Sequence, residues 1–120
     1  MTYQGLDPLT HVLLVKALDG LLLRQEYIAQ NIANASTPDY KPVRVTFEQA
    51  LKEAKNDGIS EISQLKPQVY EDLNARGQGV RLDMELASAT QAALRFSGLI
   101  EVLGRHFALQ RILVSASGRS

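Results

Sequence analysis

The sequence predicts a mainly α fold: two long terminal helices forming an antiparallel, coiled-coil-like hairpin, with a short helix and an irregular or small β segment between them. Three observations carry this expectation. Leu9 to Asn34 holds no proline and a single glycine, and Asp83 to Ser120 holds no proline at all. In both stretches apolar residues return at steps of three and four, the period of one helix face. Between them Pro67, Gly77 and Gly79 interrupt any long element.

A length of 120 residues suits one domain. Within it, 1–41 should be the first helix and its closing turn, 42–82 the short helix and loop or β segment, and 83–120 the last helix.

The first helix places Leu14, Leu18, Leu21, Ile28 and Ile32 on one seam, broken only by Gln25. At 1.5 Å per residue it should run about 40 Å. Asn34 should end it, since Pro38 lacks a donor and drives Thr37 toward extended geometry. A second helix is expected from Phe47 to Asn56, capped by Thr46 with Gln49 as its capping-box partner and stopped at Gly58. Loose alternation from Gln68 to Leu73 suggests one hairpin in the irregular stretch that follows.

Asp83 should cap the last helix, with Glu85 in the first turn at the positive end of its dipole. Its seam reads Leu86, Ala89, Ala93, Phe96, Ile100, Leu103, Phe107, Gln110 and Val114, and a second apolar row of Leu99, Val102, Leu109 and Leu113 runs beside it. A hairpin would bury one row of each helix and leave the rest in water, so self-association is expected.

Composition removes several function classes. Thirteen basic and 13 acidic residues, with no block of either sign, leave no electrostatic footprint for nucleic acid or anionic lipid. The absence of cysteine excludes a disulfide framework, a thiolate metal site and a Cys nucleophile. His11 and His106 lack metal-ligand spacing and read as packing or surface residues. Gly77-Gln78-Gly79 lacks the rest of a phosphate loop and reads as a turn. The pairs Glu48 with Glu53 and Asp83 with Glu85 read as capping and solvated charges. No catalytic residue, cofactor or metal is expected, and the first residues resemble neither a signal peptide nor a membrane span. Gln30, Asn31 and Asn34 stand out, because amides at the end of an apolar helix can close its turn or bond a neighbour's backbone without the desolvation cost of ions.

The run Ile28-Ala-Gln-Asn31-Ile32-Ala-Asn34-Ala-Ser-Thr37-Pro38-Asp-Tyr40-Lys41 closely resembles the N-terminal signature of flagellar rod and hook proteins, in which a long helix ends in an NIANA-x-TPGY-like turn. Val80 to Leu86 and Ala93 to Phe96 resemble the VDLDxEM and SLRY elements of proximal rod members. Asp39 stands where the signature usually has Gly, Ala92 and Ala93 where polar residues are common, and Phe96 where Tyr is usual; Asp57 to Gly79 has no match.

This resemblance implies a structural subunit of the basal-body rod, not an enzyme, exported by the flagellar secretion apparatus without a cleaved signal and polymerised in the periplasm as part of the drive shaft and export channel. The implied partners are other copies and other rod subunits, a FliE-type adaptor, the MS ring and the export gate, with no nucleic acid and no membrane insertion. On that expectation the assembly interface comprises Leu14, Leu18, Leu21, Ile28, Asn31, Ile32 and Asn34 of the first helix. From the last it takes Leu86, Ala93, Phe96, Ile100, Leu103, Phe107 and Val114, and Thr37, Pro38 and Tyr40 form the signature turn. A soluble helical adaptor or export chaperone, holding a partner helix in a groove between the two long helices, is the competing expectation.

Overall fold

A computed structural model describes residues 7–75 and 79–118, the side chain of Asn74 excepted. The chain runs α1 (Pro8–Ala33), β1 (Val43–Thr46), α2 (Glu48–Ala54), α3 (Ile59–Gln64), β2 (Gln68–Glu71), a 3-10 turn (Leu73–Ala75) and α4 (Leu82–Ser117). The predicted fold class is the one observed: two long helices with a short helical and β segment between them.

Asp7 caps α1 by accepting the Thr10 N–H at 2.7 Å, which lowers its carboxyl pKa, and Pro8 fills the first turn, where a missing donor costs nothing. At the other end the Asn34 N–H and side-chain amide both donate to the Gln30 carbonyl, at 3.0 and 2.9 Å. Thr37 Oγ1 then donates to Asn34 Oδ1 at 3.0 Å, so the turn closes on its own amide. Asp39 adopts φ +62, the left-handed conformation that favours glycine, the residue usual at this place in the signature.

Among the described residues of 59–82 the expected hairpin is not seen. Strand β2 instead pairs antiparallel with β1, Val43 opposite Glu71 and Thr46 opposite Gln68, with α2 and α3 lying between them in sequence. Val43-Arg44-Val45-Thr46 is the overlooked signal, three β-branched residues in a row of four. Thr46 is therefore committed to the sheet and does not cap α2. The helix starts after Phe47 with no side-chain cap, and Gln49 bonds Glu53 instead. Helix α2 ends at Ala54, before Gly58, which at φ +108 leads into α3.

Helix α4 begins one residue before Asp83, which sits inside the first turn paired with Arg81 at 3.1 Å and caps nothing. It packs antiparallel on α1: Glu85 lies beside Asn31 at one end and His106 beside His11 at the other. With 36 residues against 26, α4 outruns α1, so residues from about 110 onward extend past the start of α1. Every residue from Phe107 to Gly118 is exposed.

The core is Leu21, Val45, Phe47 and Ala92, supported by Ala17, Leu23, Tyr27, Leu51, Phe96 and Leu99. Sheet, α2 and α3 cover α1, and the fully buried Ile62 anchors α3.

The row of α4 that turns inward is not the longest apolar seam. Glu85, Ala92, Leu103 and His106 are buried and Phe96 and Leu99 half-buried, whereas Leu86, Ala93, Ile100, Phe107 and Val114 are exposed. The two rows share the 96 and 103 positions and differ by one residue elsewhere. A one-residue step is 100° of helix rotation, and it is decided by what lies opposite. Ala92 is small enough for the Phe47 cluster, and Glu85 meets a cation.

Candidate functional site

Asn31 is the centre of the signature turn and is fully buried. Its Oδ1 accepts the Tyr40 hydroxyl at 3.0 Å and the Val43 N–H at 2.9 Å, and its Nδ2 donates to the Val43 carbonyl at 3.0 Å and to Glu85 Oε2 at 3.2 Å. Both donors and both acceptor sites are used, so burying this amide leaves nothing unpaired. One side chain thereby joins α1, the turn, β1 and α4.

Glu85, 1% exposed, corrects the expectation of a solvated charge. Its Oε1 accepts Arg44 at 2.5 Å, and Arg44 also holds Asp72 at 3.1 Å. Burial by itself would lower the Arg44 pKa, but the bonds from Glu85 and Asp72 outweigh it, and the guanidinium stays charged. A buried carboxylate survives here because it is both paired and hydrogen-bonded.

A second junction lies two turns back along α1. Arg24 donates to both oxygens of Glu48 at 2.7 Å, to the Val45 carbonyl at 2.7 Å, and stacks 4.8 Å from the Phe47 ring centroid. Arg95 of α4 reaches the same carboxylate at 3.3 Å. The Arg24 bonds, helped by the backbone N–H groups of Glu48 and Phe47, hold the Glu48 carboxyl at about 2 despite partial burial, so it is a paired rather than a freely solvated charge. The outward edge of β1 is thus occupied by Asn31 and Arg24, which sequence periodicity did not reveal.

Of the expected interface residues, Leu18, Leu21, Ile28, Asn31 and Leu103 are buried inside the subunit; Leu14, Ile32, Asn34 and Phe96 are half-buried. Leu86 (59% exposed), Ala93, Ile100, Phe107 and Val114 (71% exposed) face outward at seven-residue spacing. Thr37 and Pro38 are exposed at the turn, and Tyr40 is half-buried over Asn31. Missed by sequence reasoning were Gly20, Arg24, Arg44 and Phe47, and an exposed row on α1 that includes Val15 and Leu22.

A cleft of about 300 Å³ beside the turn is lined by Asn34, Tyr40, Pro42, Asp72, Leu73 and Val80, among others. Among its described residues the hydroxyls of Thr37 and Tyr40 donate to the amide oxygens of Asn34 and Asn31, not to a carboxylate that could act as a base. His11, His106 and Phe107 form a ring cluster, with His106 buried, as packing residues do. Among the described residues no three His, Asp or Glu side chains converge as metal ligands, and no helix is long and apolar enough to cross a membrane. Of the Gly77-Gln78-Gly79 turn, Gly77 and Gln78 lie outside the described residues, and Gly79 has φ +67.

No protein-family model matches the chain. It is 32% identical to the flagellar basal body rod protein FlgB of Borrelia hermsii, over 81% of this chain and 89% of the relative. It is 30% identical to FlgB of Borreliella burgdorferi, over 75% of this chain and 84% of the relative. The NIANA-type turn built on Asn31, the helical hairpin that carries it and this coverage lead to one conclusion: the chain belongs to the FlgB family of flagellar basal-body rod proteins, which are structural and not enzymes.

Proposed function

We propose that this rod subunit polymerises through its two terminal helices into the proximal rod, forming part of the drive shaft and of the wall of the export channel. The observation that supports it is the exposed heptad row of α4, Leu86, Ala93, Ile100, Phe107 and Val114, lying beside the face already spent on α1. Such a row is costly in water and stable only against another helix. Family membership supports the remainder of the reading: export by the flagellar apparatus, a periplasmic location, and contacts with other rod subunits, a FliE-type adaptor, the MS ring and the export gate.

The buried part of the expected interface, Leu18, Leu21, Ile28, Asn31 and Leu103, then has a different task. It sets the register of the hairpin, so that the outward row is presented in one orientation. Interlocked apolar rows of this kind resist shear under torque without any chemistry.

Deleting the gene in its host and imaging basal bodies by electron microscopy tests the reading. The expected result is loss of the rod with the MS ring retained; intact rods would overturn it.

A further inference from the structure

Two patches at separate places on the molecule match each other in charge and spacing. Along the outer face of α1, Val15, Asp19, Leu22, Glu26 and Ala29 follow at steps of four and three, and all five are exposed. Val15 and Leu22 are 38% and 48% exposed. Asp19 and Glu26 flank them seven residues apart, and neither takes a hydrogen bond or ion pair from a described residue.

The overhanging end of α4 is the complement. Between Val102 and Gly118 the chain has two arginines and no Asp or Glu. Arg105 is held by Glu101 at 2.7 Å, but Arg111 pairs with no described residue. Ala108, Ile112, Ser115 and Ala116 share its face of the helix, all of them exposed, Ile112 to 64%. The tip spans about 12 Å and the α1 row from Val15 to Ala29 about 21 Å, so the one fits along the other.

The same chain cannot join them. His11 lies against His106 and Phe107 in the antiparallel pair. From that level Leu22 is about 16 Å away in one direction along the axis and Ile112 about 8 Å away in the other.

We infer that the overhanging tip of α4 in one copy docks on the outer face of α1 in the next copy of this chain, Ile112 against Val15 and Leu22, with Arg111 between Asp19 and Glu26. This rests on the rod-subunit reading and gives the contact a direction. Donor and acceptor patches differ, so the contact is heterologous and repeats without closing into a dimer. The apolar strip supplies the buried area, and the charges at its rim set the register.

The chain has no cysteine, so Leu22→Cys with Ile112→Cys introduces the only two thiols. The double variant would replace the native copy in cells, and its basal bodies would be purified and oxidised. The expected product is a disulfide-linked ladder of this chain that requires both cysteines. Basal bodies that contain the double variant yet yield only monomer, or link it to a different rod component, overturn the contact while leaving the rod reading intact. A strain lacking the gene that still builds rods overturns the rod reading itself. If the cysteine chain is not incorporated, charge reversal decides. Arg111→Glu, and separately Asp19→Arg with Glu26→Arg, should abolish swimming, and all three together should restore it. Absence of rescue overturns the contact.

Discussion

The Phe47 ring occupies the space where a side chain on Gly20 would begin: a Cβ there would stand 2.5 Å from Phe47 Cδ1. The glycine in the middle of α1 is therefore a socket, and the segment joining β1 to α2 is locked to α1 through it.

Gly20→Ala should consequently destabilise the monomer by about 2–3 kcal/mol, although the same change in an open helix stabilises by about 1 kcal/mol. Urea unfolding followed by circular dichroism gives the sign directly. A stabilised variant would mean that Phe47 is free to move aside.

Asn31→Ala removes one side chain but strands four groups, the Tyr40 hydroxyl, the Val43 N–H and carbonyl, and Glu85. A loss of about 3 kcal/mol is expected, against about 1 kcal/mol for Tyr40→Phe, which leaves Asn31 Oδ1 its bond from Val43. Equal losses from both would contradict the central position of Asn31.

Asp39 holds a left-handed conformation that glycine adopts freely. Asp39→Gly should raise stability by about 1 kcal/mol, and Asp39→Val should lower it by at least as much, since a β-branched residue is strained there. Thermal unfolding of the pair measures both directions, and a destabilised glycine variant would exclude strain at this turn.

Glu48 titrates at about 2 when folded, below its ordinary value of 4.5. The unfolded chain therefore takes up this proton first, so the contribution of Glu48 is complete above about pH 4.5 and is lost as pH falls through about 2. Its side chain is 48% exposed, and solvent screening reduces the contribution to about 1 kcal/mol. Glu48→Gln should flatten the stability profile in that window; an unchanged profile would show that the Arg24 pair contributes nothing.

Phe96→Ala and Ile100→Asp should both stop rod assembly, but by different routes. Phe96 packs against the core, so its loss should cost the monomer about 2 kcal/mol, whereas Ile100 is 48% exposed and its replacement should cost under about 1 kcal/mol. Denaturation curves beside electron micrographs separate the two. Rods built from the Ile100→Asp chain would remove the outward row from the interface.

Much of this was legible in the sequence. Proline-free stretches with three-four spacing marked the first helix within a residue of each end and the last within a residue of its start, while the last helix ends at Ser117 rather than running to 120, and Asn34 and Pro38 marked the turn. The short elements were harder to read: β1 is four residues whose partner lies beyond two helices, and Thr46 satisfied a capping pattern while its backbone went to the sheet.

Helix periodicity, turn residues and family were thus set by local sequence, because each depends on neighbours within a few positions. Which row of α4 turns inward was decided only by the tertiary structure. Adjacent rows differ by one residue, and the inward one carries His106, which packs beside His11, and Glu85, which looks unfit for burial until Arg44 and Asn31 arrive, 41 and 54 residues away in the chain. Hydrophobicity favoured Leu86 and Ile100 for the inside. A fully satisfied polar network and the space filled by Phe47 left them outside.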